Sequence, residues 1–425
     1  MYDIYLENIE IDGQRKDVAI ENGVIAKILP HDKEKSLSVN AKEKFDGKGM
    51  AAVPGFVNMH THAAMSLMRG VGEDIAFHEW LDRVWRIENH LDEEFVYWGT
   101  KVACIEMIHS GTTTFNDHYW YPKQGHKAGK EMGLRTVSSY VVIDKPTLAE
   151  DEQDRERCMK FYEESLKWDS TSKFSMAFHA PYSVSEDKMI WAAEFARKHN
   201  LPLHIHLSET KKEVEDSKAA HKGLSPVEYL DEIGVLGPNL IAAHTLWLSD
   251  HDVELLGKHH VTCVHNINSN LKLSSGYHFM YSELLDAGCR VCIGTDGCAS
   301  SNNLDMLEAM KTTAILQKGW RFDPSVCPIP DLLAMATRNG AEALGINSGL
   351  LKEGMNADLM LVDTDNYNFL SPGSFLANFI YSAHSNCIDT VICNGKMLMK
   401  HGEIPMEKEI LAQAGKVISQ IKMGC

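Results

Sequence analysis

The sequence predicts an α/β fold: a (β/α)8 barrel of the TIM type, with a small β-sandwich domain formed by both chain ends. Three observations carry that expectation. Apolar runs, each followed by a helical pattern, repeat eight times between Ala52 and Asp296. Short β-type runs broken by hairpin turn signals fill the first fifty residues, and strand-rich character returns after Gly349. No glycine-rich phosphate loop follows the first of the eight runs, as an open doubly wound sheet would usually show. The division that follows is a composite β domain of residues 1–53 and 351–425 around a barrel of residues 54–350.

In chain order, Ile4 to Ile9, Asp17 to Ile20 and Gly23 to Ile28 are short β runs of a small antiparallel sheet. Asp12-Gly13 and Asn22-Gly23 supply its hairpin turns. An apolar run from Met50 to Val57 reads as a buried strand and begins the repeat. The eight expected strands are Ala52 to His62, Thr112 to Tyr119, Thr136 to Ile143, Phe174 to His179, Leu203 to Ser208, Leu240 to Thr245, Val261 to Asn266 and Arg290 to Asp296. Helical spacing runs from Glu93 to Ser110 and stops at Gly111, where a glycine can take the left-handed C-terminal cap. Ser225-Pro226-Val227-Glu228 combines an N-cap serine, a proline at the first helical position and a capping-box glutamate. Ser185 and Ser249 stand at further N-caps. Beyond the barrel, Ala357 to Val362 and Asp389 to Cys393, with the turn Asn394-Gly395, rejoin the small sheet, and an amphipathic helix from about Glu407 to Lys422 closes the chain.

Composition narrows the partners. With 425 residues, 44% of them hydrophobic, the chain can bury a large core. Its 42 basic and 59 acidic residues give a net charge of −17, which disfavours nucleic acid and anionic membrane. The chain opens without a basic and apolar leader, and no apolar run approaches the length of a membrane span. Ten scattered cysteines read as reduced thiols of a cytoplasmic protein, and Cys289-Arg290-Val291-Cys292 as core rather than a redox pair. A small-molecule substrate is therefore expected, with a homodimer as the common assembly.

The strand ends carry the chemistry. His60 and His62, one residue apart at the end of the first strand, share a face because side chains alternate along a strand. His206 ends the fifth strand, with Glu209 three residues on; His244 ends the sixth and Asp296 the eighth. Each alone is weak evidence, but all fall on the C-terminal rim where barrels place their sites. Three imidazoles and a carboxylate suit zinc or ferrous iron with one position left for water, whose pKa the metal lowers. His244 and Asp296 are placed to accept the water's proton, and Glu209 to donate one to substrate. His204, deeper on the same face, reads as structural. His118, His126, His221 and His251 receive no role, and His259-His260 reads as a solvated connection.

With these residues placed, the chain resembles the amidohydrolase superfamily over nearly its whole length. The motifs are Pro-Gly-Phe-x-Asn-x-His-x-His at 54–62, His-x-x-Glu at 206–209, His244, His265-Asn266 with Ser269-Asn270, and Gly-Thr-Asp-Gly at 294–297. Phe174 to Pro181 has no internal lysine of the kind that bridges two metals in binuclear members, which implies one divalent metal, zinc before iron. Met68-Arg69-Gly70, Glu79-Trp80-Leu81, Ile87-Glu88 and His179-Ala180-Pro181-Tyr182 look most like the methylthioadenosine/S-adenosylhomocysteine deaminases and their triazine-hydrolase relatives. The resemblance implies that His60, His62, His206 and Asp296 hold the metal and that Glu209, His244 and Asp296 transfer protons. It further implies that Trp80 covers the base, Glu88 binds ribose hydroxyls and His179 contacts a ring nitrogen. One departure is that Ser138 to Lys145, just after the third strand, lacks the arginines that adenosine-type members often carry, which counts against a carboxylate-bearing substrate. The expected activity is hydrolytic deamination of an amino-substituted N-heterocycle, adenosine-type first. The alternative is a triazine chloro- or alkylamino-hydrolase, or a guanine or pterin deaminase, on the same site.

Overall fold

The computed structural model describes residues 1–420. Eight parallel strands line the interior: β1 (Phe56–His62), β2 (Thr112–Asp117), β3 (Arg135–Val142), β4 (Ser172–Phe178), β5 (Leu203–Leu207), β6 (Leu240–His244), β7 (Thr262–His265) and β8 (Arg290–Ile293). Neighbours pair in parallel from β1 through β8. The eighth expected strand is split. Its first part, β8, pairs with β7; a two-residue strand, Asp296–Gly297, then pairs with β1 and returns the hydrogen bonding to its starting strand. The result is a curled, TIM-barrel-like sheet. Gly294 and Gly297 permit this return: a Cβ on Gly294 would lie 2.9 Å from the His60 Cβ, and one on Gly297 3.0 Å from the His62 Cβ.

The expected Ala52-to-His62 strand is two strands. Met50–Pro54 belongs to a second, outer sheet and Phe56–His62 to the barrel. At the break, the Gly55 N–H donates to the Asp358 carbonyl at 3.0 Å and the Phe56 N–H to Gly111 at 2.9 Å, so one apolar run serves two sheets. The outer sheet has eight strands and draws on both chain ends. Its order is Lys396–Met399, Ile388–Cys393, Leu359–Asp363, Met50–Pro54, Tyr2–Ile11, Gln14–Glu21 and Val24–Pro30, with Ala41–Asp46 also on Tyr2–Ile11. It is mixed rather than antiparallel, because Tyr2–Ile11 runs parallel to Ala41–Asp46 and Met50–Pro54. Residues 12 and 13 and residues 22 and 23 make the expected hairpin turns, all with positive φ.

The helices keep most of their sequence signals. Glu93–His109 ends before Gly111 at φ 82°. Ser225 and Glu228 form the capping box, and Ser249 forms one with Asp252. Ser185 holds the N-cap position without capping: its hydroxyl donates instead to Asp144 at 3.0 Å. Glu407–Gln420 is the closing helix, and the last two residues expected in it lie outside the described ones. Cys289 and Cys292 are buried in different apolar clusters, so they are core residues. Among the described residues, no helix is long and apolar enough to cross a membrane.

Candidate active site

Parallel pairing brings the C-terminal ends of all the inner strands to one rim, and that rim collects the predicted residues. The His60 and His62 side chains meet Asp296 Oδ1 through Nε2, at 3.3 and 3.2 Å. His206 Nε2 lies 3.2 Å from His62 Nε2. Each ring turns its other nitrogen outward. His62 Nδ1 faces the carbonyl of His118, His206 Nδ1 faces that of His179 at 2.7 Å, and His60 Nδ1 faces His204 Nε2 at 2.9 Å. Three Nε2 atoms and one carboxylate oxygen therefore converge.

The donor set fits a divalent metal. His60 Nε2 is buried without a hydrogen-bond partner, which is the state of a nitrogen meant for an ion. The ligand atoms of His60, His62 and Asp296 lie within 4.8 Å of one another. Burial holds His206 well below the ordinary histidine range and His60 below it, so both are neutral imidazoles ready to coordinate. Burial acts in the same direction on His62, but the hydrogen bond and charge of Asp296 outweigh it and raise that group. Burial would lift Asp296, yet the two imidazoles hold its carboxyl well below the usual range. The Ser269 and Ser300 hydroxyls donate to Asp296 Oδ2 at 2.6 and 2.8 Å, leaving Oδ1 to the histidines.

Glu209 and His244 stand beside this centre, with Glu209 Oε1 3.7 Å from His244 Nδ1. Burial, then the charges of Asp296 and Glu213, push the Glu209 carboxyl well above the carboxylate range, the direction that suits a proton donor. Glu213 fixes the turn that presents it. Its carboxylate accepts the backbone N–H groups of Ser208 and Glu209 at 2.8 and 2.7 Å. Asn270 Nδ2 contacts His244 Nδ1 at 3.0 Å, and burial pushes His244 down to about 3.

Trp80, Glu88 and His179 join the same place. With His62, His206 and Asp296 they line a cavity of about 50 Å³. Trp80 comes from the helix Phe77–Glu88, and its Nε1 donates to the Ala299 carbonyl at 3.0 Å, tying that helix across the mouth. Glu88 is half-buried, with its Oε1 atom buried and unpartnered. His179 Nδ1 contacts the Ser183 hydroxyl at 2.7 Å. Trp85, Glu88, Tyr119, Trp120 and Val141 also border an outer chamber of about 870 Å³.

Two placements went unread in the sequence. His118 has a site position, its ring 4.7 Å from that of His206 and its nitrogen within ligand range of His62 and His206. Its only signal was its place next to the end of the second expected strand. The outer chamber carries Arg157 and Lys160 from the helix Leu148–Ser165, so cationic groups stand near the third strand although none follows it directly as arginine.

Comparison with known proteins identifies the family and the fold. The profile of the amidohydrolase family matches residues 51–398. A 5'-deoxyadenosine deaminase of Methanoregula boonei is 44% identical over 382 residues, covering 88% of this chain and 85% of that relative. A 5-methylthioadenosine/S-adenosylhomocysteine deaminase of Archaeoglobus fulgidus is 41% identical, covering 90% and 91%. A crystal structure of an adenosine deaminase from Xanthomonas campestris with bound zinc superposes with a TM-score of 0.92 at 31% identity, covering 99% of both chains. An atrazine chlorohydrolase of Arthrobacter aurescens shares the fold, with a TM-score of 0.86 at 20% identity over 98% and 100% of the two chains.

Proposed function

The chain belongs to the amidohydrolase family, and on that premise we propose that it deaminates adenosine-type nucleosides with a divalent metal, zinc before iron. It is a hydrolase of C–N bonds in cyclic amidines. The convergence of three imidazole Nε2 atoms and Asp296 Oδ1, with Glu209 beside them, carries the reading.

His60, His62, His206 and Asp296 would hold the ion, which supplies Lewis acidity that brings a water's pKa toward neutrality. Glu209 gives its proton to the ring nitrogen next to the carbon bearing the amine. His244 and Asp296 take the attacking water's proton and pass it to the departing ammonia. Trp80 covers the base, Glu88 takes the ribose hydroxyls and His179 contacts a ring nitrogen. Their position around one small cavity supports these roles, and the unpartnered Glu88 oxygen supports a hydroxyl-bearing ligand. The adjoining chamber leaves room for a 5' substituent, with Arg157 and Lys160 on its wall. Relatives above 40% identity carry adenosine-type names, whereas triazine hydrolases match at about 20%; the nucleoside is therefore preferred to the triazine.

We also infer that residues 1–53 and 351–420, the described part of the expected 1–53 and 351–425 unit, form a separate β-sandwich domain beside a closed barrel of residues 54–350. An apolar cluster that joins Leu6, Ile9 and Ile20 to Leu359, Leu361 and Ile392 supports that division.

Ammonia release by zinc-loaded protein tests the function across adenosine, 5'-deoxyadenosine, methylthioadenosine, S-adenosylhomocysteine, guanine, a pterin and aminotriazines. Turnover is expected for the adenosine-type compounds. Chloride or alkylamine release from triazines, with none from nucleosides, would overturn it.

A further inference from the structure

We propose that His204, backed by Ser139, is a positioning residue that sets the tautomer of His60 for metal binding; the proposal rests on the metal-centre reading above. Of the three converging imidazoles, two direct Nδ1 at main-chain carbonyls, those of His118 and His179. A carbonyl only accepts, so His62 and His206 must carry their protons on Nδ1 and leave Nε2 free. His60 has no such carbonyl. Its Nδ1 lies 2.9 Å from His204 Nε2, the two rings nearly perpendicular at 83°, and both side chains are fully buried.

One proton sits between those two nitrogens, and its owner decides what His60 can do. With the proton on His60 Nδ1, Nε2 offers a lone pair to the centre. With His204 as the donor, the proton of His60 moves to Nε2, 3.3 Å from Asp296 Oδ1, and blocks that ligand. The backbone cannot enforce the choice here as it does at the other two rings. His204 enforces it by accepting on Nε2, which requires its own proton on Nδ1. The group facing Nδ1 is the buried Ser139 hydroxyl at 3.5 Å, which can accept it. The relay thus runs from β1 through β5 to β3: His60 donates to His204, and His204 donates to Ser139. His60 is the one ring of the three whose orienting partner is a side chain.

Zinc affinity, read by competition with a chelator, tests the relay. His204→Leu keeps the volume and removes the acceptor, and should weaken zinc binding about 10- to 100-fold. His204→Gln offers an amide oxygen near the old Nε2 position and should stay within a few-fold of the parent. Nitrogen-15 NMR should find the His60 proton on Nδ1 in the parent and in His204→Gln, and divided between the two nitrogens in His204→Leu. Leucine binding zinc as tightly as the parent, or glutamine losing as much as leucine, overturns the proposal alone. A parent protein that binds no zinc overturns the metal reading with it. If His204→Leu fails to fold, Ser139→Ala decides: a loss of about threefold or more supports the relay, and unchanged affinity refutes it.

Discussion

Replacing Arg135 with Met should cost stability without touching catalysis, because Arg135 stands at the end of β3 opposite the site. It opens the strand, whereas the candidate site residues lie near or beyond the C-terminal ends of the strands. Its Nε donates to Asp358 Oδ2 at 2.6 Å, its Nη2 to Asn394 Oδ1 at 2.9 Å and its Nη1 to the Ser170 carbonyl at 3.3 Å. The pair is 2% and 1% exposed and ties the barrel to the outer sheet. Stranding one member of a buried ion pair costs about 3–5 kcal/mol. Asp358 keeps two donors after the change, the Asn394 N–H at 2.6 Å and the Ser348 hydroxyl, which places the loss near the lower end, about 3 kcal/mol. At about 2.1 cal/mol/K per residue, 425 residues have an unfolding entropy near 0.9 kcal/mol/K, so Tm should fall by about 3 °C. Scanning calorimetry on metal-free protein reads this, and kcat/KM at 25 °C should stay within about threefold. Removing both charges together, as Arg135→Met with Asp358→Leu, should recover most of the loss, because no charge is then left buried alone. A Tm shift under about 1 °C for the single variant, or a large fall in kcat/KM, would refute the reasoning.

Glu209→Gln should lower kcat by about 10³-fold while zinc content stays at the parental level, since the amide cannot give a proton to the ring; elemental analysis with steady-state kinetics checks both. Glu88→Gln should raise KM for nucleosides about tenfold, or about 1.4 kcal/mol, and leave the protein as stable as before or more so, because a half-buried carboxylate with an unpartnered buried oxygen is removed; an unchanged KM would sink the ribose contact. The third concerns acid. Burial, then Lys130, pushes His126 down to about 4, and its ring stacks on Trp168 at 3.7 Å. The unfolded chain takes up the proton near pH 6.5 and the folded chain only near pH 4. The stability is therefore complete above pH 6.5 and is lost as pH falls toward 4, by about 2 kcal/mol after allowance for partial solvation. His126→Phe should flatten that part of the stability profile in denaturant titrations run at several pH values.

What the sequence disclosed followed from local rules. The His60/His62 pair was readable because a strand alternates faces, and the Ser225/Glu228 box because capping spans three residues. What it withheld depended on contacts between distant segments. Met50 to Val57 is uniformly apolar, and composition does not record that Pro54 pairs with Leu359 while Phe56 pairs with Thr112. The parallel partnership of Tyr2–Ile11 with Ala41–Asp46 is likewise a long-range choice. His118 lacked a spacing partner, and Arg157 lay within a helix so dense in charge that only packing reveals which residues border the chamber.

Shared strand faces alone do not account for the convergence of the site, and the backbone supplies the remainder. Ser208, His244 and Asp296, each at or just past a strand end, have φ of 52°, 75° and 63°, a region that side-chain-bearing residues seldom adopt. Each such residue costs about 1–3 kcal/mol unless its surroundings hold it. Here they do. Glu213 grips the main-chain N–H groups of Ser208 and Glu209, Asn270 contacts the His244 ring, and Ser269 and Ser300 bind the Asp296 carboxylate. A strand that simply continued would carry the chain past the rim. The reversal at these residues turns the carboxylate and imidazole inward, toward His60 and His62. Gly294 and Gly297 are needed for the same reason, because they let the strained eighth strand lie against β1 closely enough for Asp296 to reach both rings. The histidine spacing thus defines half of the site, and the strain held in the later strand ends brings the other half to meet it.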